Sequence, residues 1–412
     1  MSQRILSRRI FSRSVASSLI LTQLGILSAC SNNGSSNSSA QNPDSASGSP
    51  NPPPANQRES NIDNLGDLGT ADENGVRLPP SFSSRIVART GEKPVSNSTY
   101  VWHSAPDGGA TFSSPDGWVY VSNSEVDNGL GGVGAIRFDL AGNILDSYSI
   151  LDSTSRNCAG GKTPWGSWLS CEEISHGLVY ECFPHLDFLP APLPALGRFM
   201  HEAAAVDPNS NQLYLTEDDP SGLLYRFTPN TPNIGSTPDL TNGTLQALFL
   251  VDGAVSWTEI PDPGATSEPT RTQVQQVTRF NGGEGIVYYG GAIFFTTKGD
   301  NRVWQLDIAN QQLTVIYDDD DYENPILTGV DNITTNEFGD LFVAEDGGDL
   351  QIVAVTQNNK IVPIIQLQGH NGSEITGPAF SPDGSRLYFS SQRGTTAEPG
   401  GVTFEVSGPF IV

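Results

Sequence analysis

A short strand pattern with an aromatic residue at its centre recurs six times along the chain. Successive aromatics stand 48, 46, 80, 48 and 46 residues apart. They are Tyr120, Trp168, Tyr214, Phe294, Phe342 and Tyr388. A period of about 47 residues is typical of one four-stranded blade of a β-propeller. We therefore expect an all-β fold, a six-bladed β-propeller, in which an insertion over residues 228–278 accounts for the long gap.

The N-terminus carries the features of an export signal. A twin-arginine pattern at Arg8 and Arg9 is followed by an apolar stretch over residues 15–27. The stretch ends in Leu27-Ser28-Ala29-Cys30, which resembles the bacterial lipobox. We expect residues 1–29 to be a twin-arginine lipoprotein signal peptide. Lipidation of Cys30 would then anchor the protein to a cell-envelope membrane, facing the periplasm or the exterior. A plain secretory signal with an incidental Cys is the alternative.

Composition divides the remaining chain in two. Residues 30–78 are rich in Ser, Asn, Pro and Gly, and such a segment buries too little apolar surface to fold, so we expect a disordered linker. Residues 79–412 are expected to form the propeller. The formal net charge of −25 excludes a nucleic-acid partner, because binding to phosphates requires clustered Lys and Arg. The same charge is compatible with divalent cations.

Two registers of the aligned repeats collect polar side chains. The first lies about ten to twelve residues before each aromatic and is predicted to be the innermost strand of each blade. It contains Cys158, Glu202, Glu284, Asp331, Asn332 and Glu374. The second register follows the aromatic and contains Asn123, Glu125, Cys171, Glu172, Glu173, Glu217, Asp218, Asp219, Glu345 and Asp346. Innermost strands converge on one axis, so these acids are expected to meet, and their oxygen ligands favour Ca²⁺.

Some of these residues are also compatible with a purely structural role in turns. The acidic runs at Glu217–Asp219 and Glu345–Asp346 are also typical of hairpin turns. Pro-Asp-Gly at Pro106, Pro115 and Pro382 predicts ordinary turns between strands.

The cysteines leave two interpretations open. Three remain after Cys30, namely Cys158, Cys171 and Cys182. They can supply one disulfide and one free thiol, or Cys171 can be a thiolate ligand of a metal.

Asn157-Cys-Ala-Gly-Gly-Lys-Thr-Pro-Trp-Gly-Ser-Trp-Leu-Ser-Cys-Glu-Glu173 resembles the PhoX-type alkaline phosphatases. Matching segments at residues 197–203, 215–219, 283–285, 331–347 and 374–384 follow in the order of that family. The resemblance implies a six-bladed propeller that hydrolyses phosphate monoesters outside the cytoplasm, with two irons bridged by a Cys thiolate and calcium alongside. It implies Cys171 as the bridging thiolate, and Glu202 and Glu284 as iron ligands. Glu172, Glu173, Asp218 and Asp219 are then calcium-side candidates, and Asn332, Glu345 and Glu374 complete the predicted metal ligands.

One position departs from the family pattern. An Arg that grips phosphate two residues before the equivalent of Glu284 is replaced here by Gly282. Retention of Cys171, Glu202 and Glu284 favours a phosphatase-like hydrolase acting on a small phosphate ester. Loss of the Arg favours two alternatives, a calcium-dependent lactonase or esterase and a non-catalytic, calcium-stabilised binding propeller.

Overall fold

The computed structural model describes residues 58–412. The predicted signal peptide, Cys30 and the linker up to residue 57 lie outside the described residues. Almost all regular structure in the described part is β-strand. The strands are β1 (Val76–Arg77), β2 (Ser83–Arg89), β3 (Pro106–Ser114), β4 (Gly117–Ser124), β5 (Gly131–Asp139), β6 (Ile144–Thr154), β7 (Asn157–Lys162), β8 (Trp168–Glu172), β9 (Val179–Cys182), β10 (Ala191–Pro192), β11 (His201–Val206), β12 (Leu213–Glu217), β13 (Leu224–Pro229), β14 (Gly243–Val251), β15 (Ala254–Glu259), β16 (Gly283–Tyr289), β17 (Ala292–Thr297), β18 (Arg302–Asp307), β19 (Gln312–Asp318), β20 (Val330–Thr335), β21 (Leu341–Glu345), β22 (Gln351–Val355), β23 (Ile361–Leu367), β24 (Ile375–Phe380), β25 (Arg386–Ser391) and β26 (Val402–Ser407). Short 3-10 helices cover Ile62–Asn64, Pro194–Leu196, Thr270–Thr272, Lys298–Asp300 and Asp319–Asp321. Within residues 58–412, no helix is long and apolar enough to cross a membrane.

The strands form antiparallel sheets in which most pairs are neighbours in sequence. Their orders are β3-β4-β5-β6, β10-β9-β8-β7, β1-β23-β22-β21-β20, β2-β26-β25-β24, and a nine-stranded sheet β11-β12-β13-β14-β15-β19-β18-β17-β16. The two halves of the nine-stranded sheet are joined by a single residue pair, Ala254 and Gln312. Strands β3, β7, β11, β16, β20 and β24 contact one another in that order, and β24 returns to β3. The chain therefore has the predicted all-β, propeller-like fold.

The six aromatics that defined the repeat all lie in the second strand of their sheets, in β4, β8, β12, β17, β21 and β25. Their rings fill the space between adjacent sheets. Tyr120 of β4 stacks on Tyr388 of β25 with ring centroids 4.9 Å apart, and Trp118 Nε1 donates to the Tyr388 hydroxyl. This contact joins the first full sheet of the chain to the last, so the aromatic repeat serves packing between sheets.

The N-terminal part of the described chain closes the ring. Strand β2 pairs with β26, and β1 pairs with β23. Ile62 is fully buried in a core cluster, and a bridge joins Ser60 to Ile411. Residues 58–78 were assigned to the linker, and this was wrong for that stretch. Its few apolar side chains are enough to order the segment, because they pack into a core cluster formed by the C-terminal sheets.

The predicted insertion is only partly correct. Residues 228–278 include β14, which is the ordinary fourth strand of its sheet. The additional length is divided between the loop over residues 230–242 and a segment that starts with β15 and continues to residue 282. Gly222 forms a bridge with Phe280, which fixes the end of this segment beside the turn after β12.

Candidate metal centre

The six inner strands, which contact one another in a closed circle, each contain a β-bulge near their first residues. They are β3, β7, β11, β16, β20 and β24. The register shifts lie between Pro106 and Gly109, Asn157 and Gly160, His201 and Ala204, Gly283 and Ile286, Val330 and Ile333, and Thr376 and Ala379. A bulge adds one residue to a strand and re-aims its side chain. The first of the two residues inside each register shift is Asp107, Cys158, Glu202, Glu284, Asp331 and Gly377, respectively. We refer to the first five of these as the channel ring.

Small residues beside the bulges allow the strands to approach closely. A Cβ atom on Gly108 would lie 2.5 Å from Ala159 Cα, and one on Gly285 would lie 2.5 Å from the Ile333 nitrogen. The sixth bulge has Gly377 because its φ is 59° and a Cβ there would lie 2.5 Å from the Asp107 carbonyl oxygen. Close approach of the backbones brings side chains from different sheets into bonding range of a shared ligand.

Three groups of metal-type ligand atoms follow one another around the ring. They are Cys158, Glu173 and Glu202; Glu202, Glu284 and Asp331; and Asp331, Asp346 and Glu374. Within each group the ligand atoms lie within 4.8 Å of one another. Glu202 belongs to the first and second groups, and Asp331 belongs to the second and third. The arrangement is one continuous row of donors.

Burial and mutual repulsion raise the pKa of every ring carboxyl. For Glu202 the pKa is raised well above its usual value, first by burial and then by the charges of Glu284 and Asp331. The pKa of Asp331 is raised to about 8, first by burial and then by Glu374. Burial likewise raises the pKa of Glu173 to about 8 and that of the Cys158 thiol. Several buried acids that cannot all be charged together are typical of a site for cations.

Three basic side chains partly neutralise the acids from the rim. Lys298 Nζ lies 2.7 Å from Glu284 Oε1 and 2.8 Å from Asp218 Oδ2. Arg156 bridges Glu125 and Glu173, and Arg393 pairs with Glu374. Each of these bases reaches the acids from a partly exposed position.

The donor set fits a metal. Glu284 Oε1 is buried and forms an ion pair with Lys298, but it accepts no hydrogen bond of good geometry in the described part of the chain. A bound cation would stabilise a buried carboxylate oxygen that lacks a hydrogen-bond donor. Two of the three groups offer only oxygen, which suits hard cations such as Ca²⁺, and the group with Cys158 adds a thiolate that suits a softer transition metal.

The structure divides the predicted ligands into two sets. Glu173, Glu202, Glu284 and Glu374 lie in the donor groups. The others have structural partners instead. Glu172 accepts from the Ser155 and Leu178 nitrogens, Glu345 accepts from the Thr328 and Gln351 nitrogens, Asp218 pairs with Lys298, Asp219 pairs with Arg271, and Asn332 accepts from the Gly377 nitrogen.

Cys171 does not lie in a donor group. Its side chain is fully buried in an apolar cluster with Leu169 and Val179. The thiol among the carboxylates is that of Cys158, whose Sγ lies 3.2 Å from Glu202 Oε1. The structure contradicts the assignment to Cys171 because the Cys171 side chain packs in the apolar cluster between sheets, whereas Cys158 lies in the inner strand β7 beside Glu202. All three described cysteines are free, so the disulfide alternative is not observed either.

Sequence reasoning missed further members of the site. Cys158 and Asp331 stood in the inner-strand register but were left out of the ligand list. Asp346 was treated as a turn residue, although it joins the third group. Asp107 was hidden in a Pro-Asp-Gly sequence that was expected to be a turn, yet it is buried at the start of β3. The available signal was its alignment with the other bulged residues.

The two cysteines provide a matched test of this assignment. Cys158→Ser is expected to lower the transition-metal content of purified protein at least tenfold, because a hydroxyl is a much weaker soft ligand than a thiolate. Cys171→Ser should keep its metal but lose about 1–3 kcal/mol of unfolding free energy, because it buries a hydroxyl among apolar groups. Elemental analysis and chemical denaturation measure both effects. The opposite pattern would return the metal-binding role to Cys171.

Known proteins resemble this chain at the level of family and fold. The family model for alkaline phosphatase PhoX matches residues 144–183, 174–320 and 291–394. Pseudomonas fluorescens PhoX in complex with vanadate, a transition state analogue, has a TM-score of 0.69 and 16% identity, covering 84% of this chain and 97% of that chain. A Bacteroides thetaiotaomicron protein of unknown function has a TM-score of 0.51 and 9% identity, covering 82% and 84%. No curated protein sequence matches the chain.

Proposed function

Since the chain belongs to the alkaline phosphatase PhoX family, we propose that it is a metal-dependent phosphatase that hydrolyses phosphate monoesters at the channel ring. The observation that carries the proposal is the row of three donor groups joined by Glu202 and Asp331. A row of adjacent cation sites suits a phosphoryl group, whose several oxygens share the developing charge. We also propose six blades, supported by the six contacting inner strands and by the single residue pair that joins the halves of the nine-stranded sheet.

We propose calcium for the two oxygen-only groups and iron for the group that contains Cys158. Cations bound there would neutralise the negative charge that develops on the phosphoryl oxygens. The resident side chains prepare the site for this. Burial raises the pKa of the metal-free carboxyls, so uptake of cations below about pH 8 releases protons. Gln392 donates to Asp107 of the channel ring at 2.5 Å and to Glu125 at 2.9 Å, and so orients both carboxylates.

The test of the proposed function is hydrolysis of p-nitrophenyl phosphate by the metal-replete protein at alkaline pH. Turnover is expected, and chelation should abolish it. A six-carbon sugar lactone serves as the comparison substrate. Lactone opening without phosphate release would support the lactonase alternative. If the protein hydrolyses neither substrate and calcium raises only its melting temperature, the result would support a binding propeller.

Lys298 is the basic side chain that lies directly against a ring carboxylate, and we propose that it binds the phosphate. Backbone hydrogen bonds fix the position of its main chain. The backbone nitrogen of Lys298 donates to the Gly282 carbonyl, and that of Gly299 donates to the Asn281 carbonyl. Lys298 also occupies the space beside residue 282. A Cβ atom on Gly282 would lie 3.0 Å from Lys298 Cγ, and its φ of 71° disfavours any other residue. Restoring the family's Arg at Gly282 would therefore strain the backbone.

Lys298→Met is expected to raise both the KM for the ester and the inhibition constant of inorganic phosphate by about tenfold to a hundredfold, because a charge-assisted contact is lost. Lys298→Arg should retain most of the affinity. Lys360→Met is the control, since Lys360 lies on the surface 3.8 Å from Asp63. Steady-state kinetics measure both constants. Unchanged phosphate inhibition in Lys298→Met would reduce Lys298 to an internal counter-ion.

We also propose that residues 1–29 direct twin-arginine export and that Cys30 carries the lipid anchor, with a linker up to residue 57. The support is the Arg8-Arg9 pattern and the lipobox-like segment. Cell fractionation of a Cys30→Ser variant tests the anchor. Equal membrane recovery of the variant and the parent chain would contradict it.

A further inference from the structure

The channel continues past the ring into a cavity that the phosphatase proposal does not use. This lower channel cavity has a volume of about 440 Å³. All six inner strands line it, through residues 109–111, 160–162, 204–206, 286–288, 333–335 and 378–380. These residues follow the bulges, so the cavity lies farther along the strands than the ring. Its volume is within the range of sites that hold small molecules, about 300–1,000 Å³.

A narrow neck separates the cavity from the ring. The neck has a volume of about 40 Å³ and is lined largely by glycines and alanines, among them Gly108, Ala159, Ala203, Gly285 and Gly377. Such a space holds one or two waters but no larger molecule. The lower channel cavity is therefore a separate compartment whose ligand would enter from the other end of the channel.

The charge of the cavity is opposite to that of the ring and of the whole chain. None of the described residues that line it is Asp or Glu, although the formal net charge of the chain is −25. Lys162 supplies the charge. Its Nζ donates to the Thr111 carbonyl at 2.7 Å and lies 5.2 Å from the centroid of the Phe112 ring. In the described part of the chain, Lys162 forms no ion pair with a carboxylate.

The ammonium group of Lys162 is accessible to a ligand in the cavity, because the residue is exposed and lines the cavity. The channel walls around it desolvate the Lys162 ammonium in part and lower its pKa, although the side chain as a whole is exposed. Two of its three N–H donors remain available after the bond to Thr111. An anion in the cavity would accept from these donors and offset the loss of hydration.

The remaining walls are mostly apolar. Ile286, Val287, Ile333 and Phe380 present aliphatic and aromatic surface to the cavity. Only a few polar groups accompany them, mainly threonine hydroxyls. A predominantly apolar pocket with few placed polar groups is the usual form of a small-molecule site.

We infer that the lower channel cavity binds a small organic anion, a carboxylate on an apolar body, with the carboxylate at Lys162 and the body against Ile286, Ile333 and Phe380. The inference does not depend on the phosphatase proposal, because the neck separates the two compartments. A carboxylate satisfies two N–H donors at once, whereas a fully hydrated ion such as phosphate would leave the apolar walls uncovered.

The test is calorimetry on the metal-replete full chain with octanoate and with octan-1-ol, which has the same apolar length but no charge. Octanoate is expected to bind at least tenfold more tightly, because only octanoate forms the charge-assisted contact. Lys162→Met should make the two affinities equal, and Lys162→Arg should preserve the difference. Val287→Trp, which fills the cavity, should abolish binding of both probes.

Two further measurements separate this site from the ring. Saturating inorganic phosphate should leave octanoate affinity unchanged, and Lys298→Met should bind octanoate like the parent chain. Failure of octanoate to bind, persistence of its advantage in Lys162→Met, or its displacement by phosphate would each overturn the inference. Loss of p-nitrophenyl phosphate hydrolysis alone would bear on the proposed function and not on this site.

Discussion

Glu202→Gln is expected to reduce phosphatase activity by about three orders of magnitude, which corresponds to about 4 kcal/mol of transition-state stabilisation. Glu202 is shared by the first two donor groups, so one substitution weakens two neighbouring cation sites. An amide has the shape of the carboxyl but supplies no negative charge. Elemental analysis and steady-state kinetics should therefore change together.

The same substitution is expected to stabilise the metal-free protein at pH 8. Burial raises the pKa of Glu202, so ionisation of this carboxyl in the fold is unfavourable, and an amide avoids it. Thermal denaturation with and without chelator should show a higher melting temperature for the metal-free variant and a smaller gain on adding metal. Glu172→Gln is the matched control. Glu172 is also buried, but it accepts from the Ser155 and Leu178 nitrogens, so this variant should keep its activity and lose about 1–3 kcal/mol of stability. Equal activity losses in both variants would contradict a special role for Glu202.

Chelated protein is expected to lose at least about 3 kcal/mol of unfolding free energy between pH 6.5 and pH 8, the contribution of Asp331 and Glu173 alone. In the fold, Asp331 and Glu173 have pKa values of about 8, raised mainly by burial. In the unfolded chain such carboxyls have pKa values of about 4. Across this window the folded state binds more protons than the unfolded state, so stability falls as pH rises, and the fall ends once the folded groups have ionised.

Buried histidines determine the pH below which the carboxyl effect can no longer be measured alone. Burial lowers the pKa of His103 and of His201 to about 3. Below the usual histidine pKa of about 6.5, the unfolded chain takes up these protons and the fold does not, so stability rises with pH there and opposes the carboxyl effect. Chemical denaturation at several pH values above 6.5 isolates the ring. Metal-replete protein should show a much flatter profile, and Asp331→Asn should reduce the slope of the chelated protein. A flat or rising profile for the chelated protein would contradict the burial of ionisable carboxyls.

The sequence predicted the fold better than the site. The aromatic repeat is visible because one packing requirement, a ring between adjacent sheets, recurs in every sheet at the same strand position. The acids of the inner strands were visible for the same reason, and the structure places Glu202 and Glu284, two of the predicted metal ligands, in the donor groups. Alignment of the repeats could not show the β-bulges. A bulge changes the pairing of a strand with its neighbour, and it does not require a particular residue type.

Cys158 and Cys171 illustrate the limit. Both lie in the segment that resembles the phosphatases, and residue types alone do not distinguish a first strand from a second. The backbone does, because the bulge at Cys158 turns its thiol toward Glu202 while Cys171 faces apolar neighbours. Residues 58–78 were misassigned for a related reason. Their composition is that of a linker, and their order comes from distant partners such as β23.

The pairing of β2 with β26 has a consequence for biosynthesis. Strand β26 is the last described strand to leave the ribosome, and the Glu59 and Val412 backbones also bond to each other. The sheet that contains β24 is complete only after β26 has been made, so the third donor group, which includes Glu374 beside β24, is the last of the three to form. The complete row of three donor groups therefore requires nearly all of the described chain, whereas the first group requires only residues up to Glu202.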